Sequence, residues 1–404
     1  KWGSKPNPKS FAGGDLKGIT KKLSYLKDCG IDSVYLTPVF TSVSNHKYDI
    51  SDYYTVDPQF GTNKDLKELV EEAHRLGMHI VMDAVFNHAS ENLKEFKDVV
   101  EKGLKSPYYN WFIVHGDTVN VKKCNYETFA SCTYMPKLNT GNPEVQKYLI
   151  DIAVHYIKEY DIDGWRLDVS DEISHDFWRS FRKAVKGAKE DAVIIGENWH
   201  DAYSNLQGDQ YDSIMNYAFT KTCLDYFATG EKNAEETAWK LNSILMRNKD
   251  GVNQMMLNLL DSHDTLRIFT EVGKDRNKFK NALALLYFFK GVPCIYYGTE
   301  ILTEGGFDPD CRRCMDWDKT KDGSCKDIYA EIKLLSGLRK NEEFSGGEYK
   351  IFAENDVLTL INKCKSTCYK LYINNTDSDK KAGEIKIPAK SFKIFANDEE
   401  VKNA

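Results

Sequence analysis

The chain has no long hydrophobic run. Its longest apolar stretches, such as residues 282–289 (ALALLYFF), are far too short to cross a bilayer. It has no excess of positive charge either. The net charge is −6 at neutral pH, which gives no footprint for nucleic acid or an anionic membrane. The start shows no signal-peptide pattern, although the chain opens at Lys1-Trp2-Gly3 without Met, which leaves a processed or trimmed N-terminus open. Internal repeats and low-complexity linkers are absent. A second CxxC is missing: Cys311-Arg312-Arg313-Cys314 stands alone, so no zinc site is expected. Of the ten cysteines, Cys124 and Cys132, Cys311 and Cys314, and Cys364 and Cys368 are close enough in sequence to pair. Pairing would mark an exported protein. Nothing else marks export, so reduced thiols and a cytoplasmic location are expected, with secretion as the alternative.

What is present suits a large barrel with a small appendix. The chain has 404 residues, 41% of them hydrophobic and 12% aromatic, enough for a sizeable core. Helical periodicity marks Leu16–Cys29, Leu66–Leu76, Asn142–Tyr160, 174–187, 220–247, Lys278–Lys290 and 327–340. Strands are expected at Ile31–Leu36, His79–Phe86, 162–169, Ala192–Gly196, Tyr211–Ala218, Gln254–Leu260 and Val292–Tyr297. Strand followed by helix with short links is the pattern of a parallel α/β fold. Seven such strands are one short of a closed (β/α)8 barrel. Residues 89–135 break the rhythm with aromatics and lysines and read as a subdomain inserted on a loop. From about residue 345, short alternating runs (Val357–Ile361, Cys368–Ile373, Glu384–Ile387) indicate a small antiparallel β-domain. The expected division is a barrel over 1–344, carrying the insertion at 89–135, and a β-sandwich over 345–404.

The stretch D-I-D-G-W-R-L-D-V-S-D-E at 161–172 carries the first chemical signal. Arg166 and Asp168 alternate with apolar residues, so they share one face of a short buried strand. A cation and a carboxylate there must pair or work. A neighbouring Arg also favours the ionised Asp, as a nucleophile requires. A purely structural ion pair is the competing reading. Other strand ends carry similar groups: Asp83-Ala-Val-Phe-Asn-His88, Gly196-Glu197-Asn-Trp199-His200 and Leu260-Asp-Ser-His263-Asp264. Singly, Asp83 reads as a loop anchor and His88 or His263 as a satisfied core histidine. In a barrel, however, C-terminal strand ends gather at one mouth, where active sites lie.

The ordered segments D-A-V-F-N-H, G-W-R-L-D-V, G-E-N-W-H-D and L-L-D-S-H-D resemble those of the α-amylase superfamily of retaining glycoside hydrolases. The resemblance runs from about Phe11 to Trp317. M-P-K-L-N at 135–139, with G-E-N-W-H-D-A, is similar to the neopullulanase, cyclomaltodextrinase and maltogenic amylase branch. It implies a (β/α)8 barrel and an α-glucan oligosaccharide substrate. It implies Asp168 as nucleophile, Glu197 as general acid/base with a raised pKa, and Asp264 as the third carboxylate. It further implies that His88, His263, Arg166 and Arg267 surround the reacting sugar, with Tyr48 beneath it. Asp308 and Arg312 match residues for the next sugar on the non-reducing side. Trp199, Phe129 and Glu172 match the leaving-group side, while Asn139 shapes the pocket.

Two departures from the family pattern stand out. Many α-amylases carry a His where this chain has Glu172, and that His helps bind a structural calcium. No cofactor is required and no metal ligand is assigned, and a structural calcium, though possible, is not supported by the sequence. The family's first barrel strand normally precedes W-G-S-K-P, and the branch's N-terminal β-domain, which mediates dimerisation, precedes that. Neither is found in this chain, so a fragment, or a strand supplied from elsewhere, is expected. The alternatives to an α-1,4-glucan hydrolase are an exo-acting α-glucosidase or oligo-1,6-glucosidase, against which M-P-K-L-N argues, and a non-catalytic glucan-binding homologue. The three retained carboxylates argue against the last.

Overall fold

Short apolar runs set the parallel strands, and capped amphipathic runs set the helices between them. The computed structural model describes residues 3–7 and 11–402, so Lys1 and Trp2 of the opening segment lie outside the described residues. The chain forms two compact units. The N-terminal unit holds Asn7–Lys27 and Ile31–Ile214. The C-terminal unit holds Lys1–Pro6, Asp28–Gly30 and Met215–Ala404.

The N-terminal unit begins with α1 (Leu16–Asp28) and β1 (Ser33–Tyr35). An antiparallel ribbon of β2 (Phe40–Ser42) and β3 (Ile50–Val56) follows, then α2 (Asn63–Arg75) and β4 (His79–Ala84). Next come α3 (Lys94–Lys102), α4 (Pro143–Tyr160), β5 (Gly164–Leu167), α5 (His175–Ala188), β6 (Val193–Gly196) and β7 (Ser213–Ile214). The sheet order is β1-β4-β5-β6-β7, with every neighbouring pair parallel. All four residues of β5 are buried, as a strand covered on both faces requires. Helix starts follow capping chemistry. Thr62 and Asp65 form a reciprocal capping box on α2, Asn142 and Pro143 open α4, and Ser174 caps α5.

Register places the polar residues. Asp83 on β4 stands opposite Arg166 on β5, and Leu167 stands opposite Gly196, the residue before Glu197. Two glycines permit this closeness. A Cβ on Gly164 would lie 2.3 Å from the Val193 carbonyl oxygen. One on Gly196 would meet the Tyr211 ring at 2.8 Å. The 89–135 insertion is less irregular than its sequence suggests. It contains α3 and three short 3₁₀ turns, stitched by isolated bridges such as Phe112 with Leu138 and Val114 with Tyr126. Phe96 packs edge-on against Phe112 and Tyr126 at 4.9 and 5.1 Å between ring centres, which gives the insertion its own small core.

The C-terminal unit starts with α6 (Tyr217–Cys223), α7 (Ala234–Leu245) and α8 (Asp250–Met255). It continues with β8 (Leu257–Leu259), α9 (Ile268–Glu271), α10 (Arg276–Phe288), β9 (Val292–Cys294), α11 (Lys326–Arg339) and α12 (Glu342–Gly346). Strands β8 and β9 pair in parallel. The described residues thus hold all seven parallel strands expected, most of them shorter than the apolar runs that pointed to them. The run 211–218 yields only the two residues of β7, because the Asn216 side chain accepts from Phe219 N at 3.3 Å and starts a helix. The run 254–260 yields only β8, because α8 takes its first two residues.

The remainder is antiparallel. β10 (Glu348–Glu354), β11 (Val357–Lys363), β12 (Cys368–Asn374), β13 (Lys380–Ala382), β14 (Ile385–Ile387), β15 (Ser391–Ala396) and β16 (Glu399–Val401) follow in order. Five of these form the sheet β10-β11-β12-β15-β16. Strands β13 and β14 make a separate ribbon, which closes a core of Val357, Tyr372, Ala382 and Ile387. The boundary expected near residue 345 lies inside this unit, because the sheet is tied to the preceding helices. Asn242 on α7 donates to Ile351 O at 2.9 Å, and Asn281 on α10 to Asn374 O at 3.1 Å. No helix among the described residues is long and apolar enough to cross a membrane. All ten cysteines are free thiols.

Candidate active site

Arg166 is the centre of the polar residues in the N-terminal unit. Its guanidinium is almost fully buried and meets three carboxyl groups. Nη1 lies 3.0 Å from both oxygens of Asp83 and 2.9 Å from Asp168 Oδ1. Nη2 lies 2.8 Å from Glu197 Oε2. Asp83 Oδ2 also accepts from the Tyr35 and Tyr48 hydroxyls, at 2.8 and 2.9 Å. Glu197 Oε2 accepts from Val169 N at 2.9 Å, and its Oε1 from Trp199 Nε1 at 3.2 Å. Asp168 Oδ2 is buried and has no hydrogen-bond partner among the described residues.

The backbone around this cluster is unusual. Val169 adopts φ 46°, ψ 45°, a left-handed conformation that is costly for a β-branched residue. This turn follows the end of β5 at Leu167, directly after Asp168, and Val169 N donates to Glu197 there.

The electrostatics follow from three acids around one guanidinium. Burial pushes Asp168 well above the usual carboxylate range. Arg166 opposes this, while Asp83 and Glu197 add to it. Asp83 is raised for the same leading reason, against Arg166 and its two phenol donors. Arg166 favours the ionised Asp168 by charge and hydrogen bond, as the sequence suggests, but its guanidinium is divided among three carboxyls. Burial raises the phenols of Tyr35 and Tyr48, which remain hydroxyl donors to Asp83.

His88 follows β4 and is fully buried, stacked on Phe129 with ring centres 4.6 Å apart. Burial pushes its imidazole down to about 3, so it is neutral at ordinary pH. Its Nε2 has no partner among the described residues. Trp199 is half exposed beside Glu197. Glu172 lies 2.9 Å from the Lys137 ammonium and accepts from Asn87 Nδ2 at 3.3 Å. Asn139 donates through Nδ2 to Asn110 O at 3.0 Å and through its backbone N to Trp111 O at 2.7 Å, and its carbonyl accepts from Asn142 N at 2.9 Å.

The other expected residues form a second group, in the C-terminal unit. Asp264 lies 3.0 Å from His263 Nε2 and 3.4 Å from Arg312 Nη2. Arg312 Nε also reaches Asp308 at 2.6 Å and the His263 carbonyl at 3.0 Å. Arg267 is buried, its guanidinium 3.8 and 4.5 Å from the ring centres of Tyr296 and Tyr297. Its Nε donates to the Cys311 carbonyl at 2.7 Å. Asp261, also buried, accepts from Ile268 N at 2.8 Å, and burial raises it to about 6.

Tyr48, His88, Phe129, Arg166, Asp168, Glu172, Glu197 and Trp199 thus belong to the N-terminal unit, and His263, Asp264, Arg267, Asp308 and Arg312 to the C-terminal one. Sequence reasoning left out Tyr35, Lys137 and the full part played by Asp83. Asp83 was visible inside D-A-V-F-N-H, and Lys137 inside M-P-K-L-N. For Tyr35 the signal was only its place on β1.

Comparison with known proteins agrees over most of the chain. Residues 4–333 match the family model described as alpha amylase, catalytic domain. A cyclomaltodextrinase of Thermoanaerobacter pseudethanolicus is 46% identical over 379 residues, covering 93% of this chain and 66% of the relative. An intracellular maltogenic amylase of Bacillus subtilis is 48% identical over 342 residues, covering 84% of this chain and 58% of the relative. The chain therefore spans slightly less than two thirds of the curated relatives it matches. The solved structure of a cyclic α-maltosyl-(1→6)-maltose hydrolase from Arthrobacter globiformis has a TM-score of 0.94 at 33% identity, over 98% of this chain and 92% of that one. The fold class is that of these neighbours, an α-amylase (β/α)8 barrel with an antiparallel β-domain after it. The chain belongs to the α-amylase family, and its relatives include cyclomaltodextrinases and maltogenic amylases.

Proposed function

We propose that this chain is a retaining α-glucan hydrolase. It cleaves α-1,4-glucosidic bonds of maltooligosaccharides, cyclodextrins, pullulan or starch through a covalent glycosyl-enzyme, which is resolved by water or by a sugar acceptor. One observation carries the reading: a single buried guanidinium holds Asp83, Asp168 and Glu197 together at the ends of adjacent parallel strands. The names of the relatives supply the substrate class, since a cyclomaltodextrinase acts on cyclomaltodextrins.

In this reading Asp168 is the nucleophile. Its Oδ1 is fixed by Arg166, and the unpartnered Oδ2 is the atom that attacks the anomeric carbon. Glu197 gives its proton to the departing glycosidic oxygen and later takes one from water or an acceptor hydroxyl. Asp264 stabilises the oxocarbenium-like transition state. Tyr48 forms the platform under the reacting sugar, and neutral His88 offers Nε2 to a sugar hydroxyl. His263 and Arg267 complete that subsite. Asp308 and Arg312 take the next sugar on the non-reducing side, while Trp199, Phe129 and Glu172 meet the leaving group. The chemistry needs no metal and no cofactor.

The test is product analysis after incubation with β-cyclodextrin, pullulan and starch. Maltose from cyclodextrin and panose from pullulan, both faster than starch breakdown, are the expected result. No product from any of the three overturns the reading. Glu197→Gln should lose turnover by about 10²–10⁴-fold while oligosaccharide binding persists. Unchanged turnover would sink the assignment of the acid.

A further inference from the structure

At the opposite ends of the same strands lies a second cluster that the proposed chemistry does not use. We infer that His74, His79 and Asp163 form a binding site for one borderline divalent transition-metal ion, such as Zn²⁺ or Ni²⁺. His74 is the penultimate residue of α2, His79 opens β4, and Asp163 directly precedes β5. Among the described residues, this is the one group of three His, Cys, Asp or Glu whose ligand atoms all lie within 4.8 Å of one another.

The three groups already face one another, with all their ligand atoms within 4.8 Å. His74 Nε2 lies 2.8 Å from Asp163 Oδ2, and His79 Nδ1 lies 3.4 Å from Asp163 Oδ1. With metal–ligand bonds of about 2.0–2.1 Å in a tetrahedron, neighbouring ligand atoms stand about 3.3 Å apart. Metal binding would draw ligand atoms that now lie within 4.8 Å of one another to that spacing. Two imidazoles and one carboxylate favour borderline metals over calcium or magnesium, which prefer all-oxygen shells. The half-exposed His79 leaves a fourth position open to water.

A supporting shell is also in place. Metal-bound histidines usually give their other nitrogen to a carboxylate, and metal-bound carboxylates are themselves hydrogen-bonded. Here His74 Nδ1 faces Asp161 Oδ2 at 3.5 Å. Asp163 Oδ2 accepts from Ile80 N at 2.8 Å, and Oδ1 from Lys189 Nζ at 2.9 Å. Lys189 also reaches Asp161 Oδ1 at 2.8 Å. Two carboxylates against one ammonium leave a net negative charge beside the imidazoles, which a divalent ion offsets. The backbone is fixed as well: His79 N donates to Asp32 O at 2.9 Å and Asp163 N to Ile80 O at 2.8 Å. The competing reading is a His–Asp ion-pair network with no metal. Bound metal would tie the end of α2 to the starts of β4 and β5, and so acts on stability rather than on the carboxylate cluster.

The experiment uses the full chain, stripped with chelator and dialysed against Zn²⁺, beside His79→Ala. The ten thiols are present in both proteins, so the difference in bound zinc isolates the site. The expected result is one equivalent less zinc in His79→Ala, together with a zinc-induced rise in Tm that only the parent protein shows. Equal zinc content in the two proteins overturns the proposal. Co²⁺ loading of the parent protein is the second measurement. Visible bands of nitrogen–oxygen ligation that vanish in His79→Ala support the site. Thiolate charge-transfer bands alone refute it.

Discussion

Arg166 balances three carboxyls with one charge, and its shape makes that feasible. Nη1 reaches Asp83 and Asp168 while Nη2 reaches Glu197. A lysine ammonium is a point donor and cannot span these directions. Arg166→Lys should therefore lower kcat by at least about 10²-fold, measured on a short maltooligosaccharide. Arg166→Met leaves the acids buried without a cation. It should cost about 3–5 kcal/mol, read as a lower urea midpoint. His88 gives a prediction in pH. Its folded value of about 3 lies below the usual 6.5, so its neutral form contributes stability that is complete above about 6.5 and lost as pH falls toward 3. His88→Asn should flatten that part of the acid-stability curve, by up to about 4–5 kcal/mol across the window. An unchanged slope between pH 6.5 and 3 would refute the assignment.

At the scale of elements, the close pairing of β5 with β6 holds the cluster in place. Gly164 has no room for a Cβ against Val193. Gly164→Ala must push the strands apart. It should lower both Tm and turnover, because Arg166 lies two residues on. Thr62→Ala removes only the cap of α2 and should cost about 1 kcal/mol with activity retained. Comparing the two variants separates a shift of the strand from simple loss of stability. What the sequence revealed of these elements follows the same physics. Alternation of Arg166 and Asp168 inside an apolar run was readable because it is local. Sharing of Arg166 with Asp83 and Glu197 was not, because it depends on the registers of β4 against β5 and of β5 against β6. Apolar runs located all seven parallel strands but overstated most of their lengths. Caps such as Asn216 and the helix at Asp250–Met255 cut in from the flanks. α3 went unseen because the aromatics around it belong to the insertion's own core.

For the whole molecule, the net charge is a modest −6, and the substrate of the proposed reaction is an uncharged sugar, so that reading leaves nothing to steer electrostatically. kcat/KM on a maltooligosaccharide should change less than about twofold between low and physiological salt. Thiol titration in denaturant without reductant should find ten reactive groups; eight or fewer would show a disulfide. The Arg166 cluster has a further consequence, for the order of events in folding. Its three acids sit at positions 83, 168 and 197, on or just after β4, β5 and β6, and Asp83 and Glu197 do not meet the guanidinium until those strands are aligned. Recovery of turnover after dilution from urea is then a clock for strand alignment. It should lag behind the return of helical signal, since helices form from local contacts and this cluster closes only over long loops.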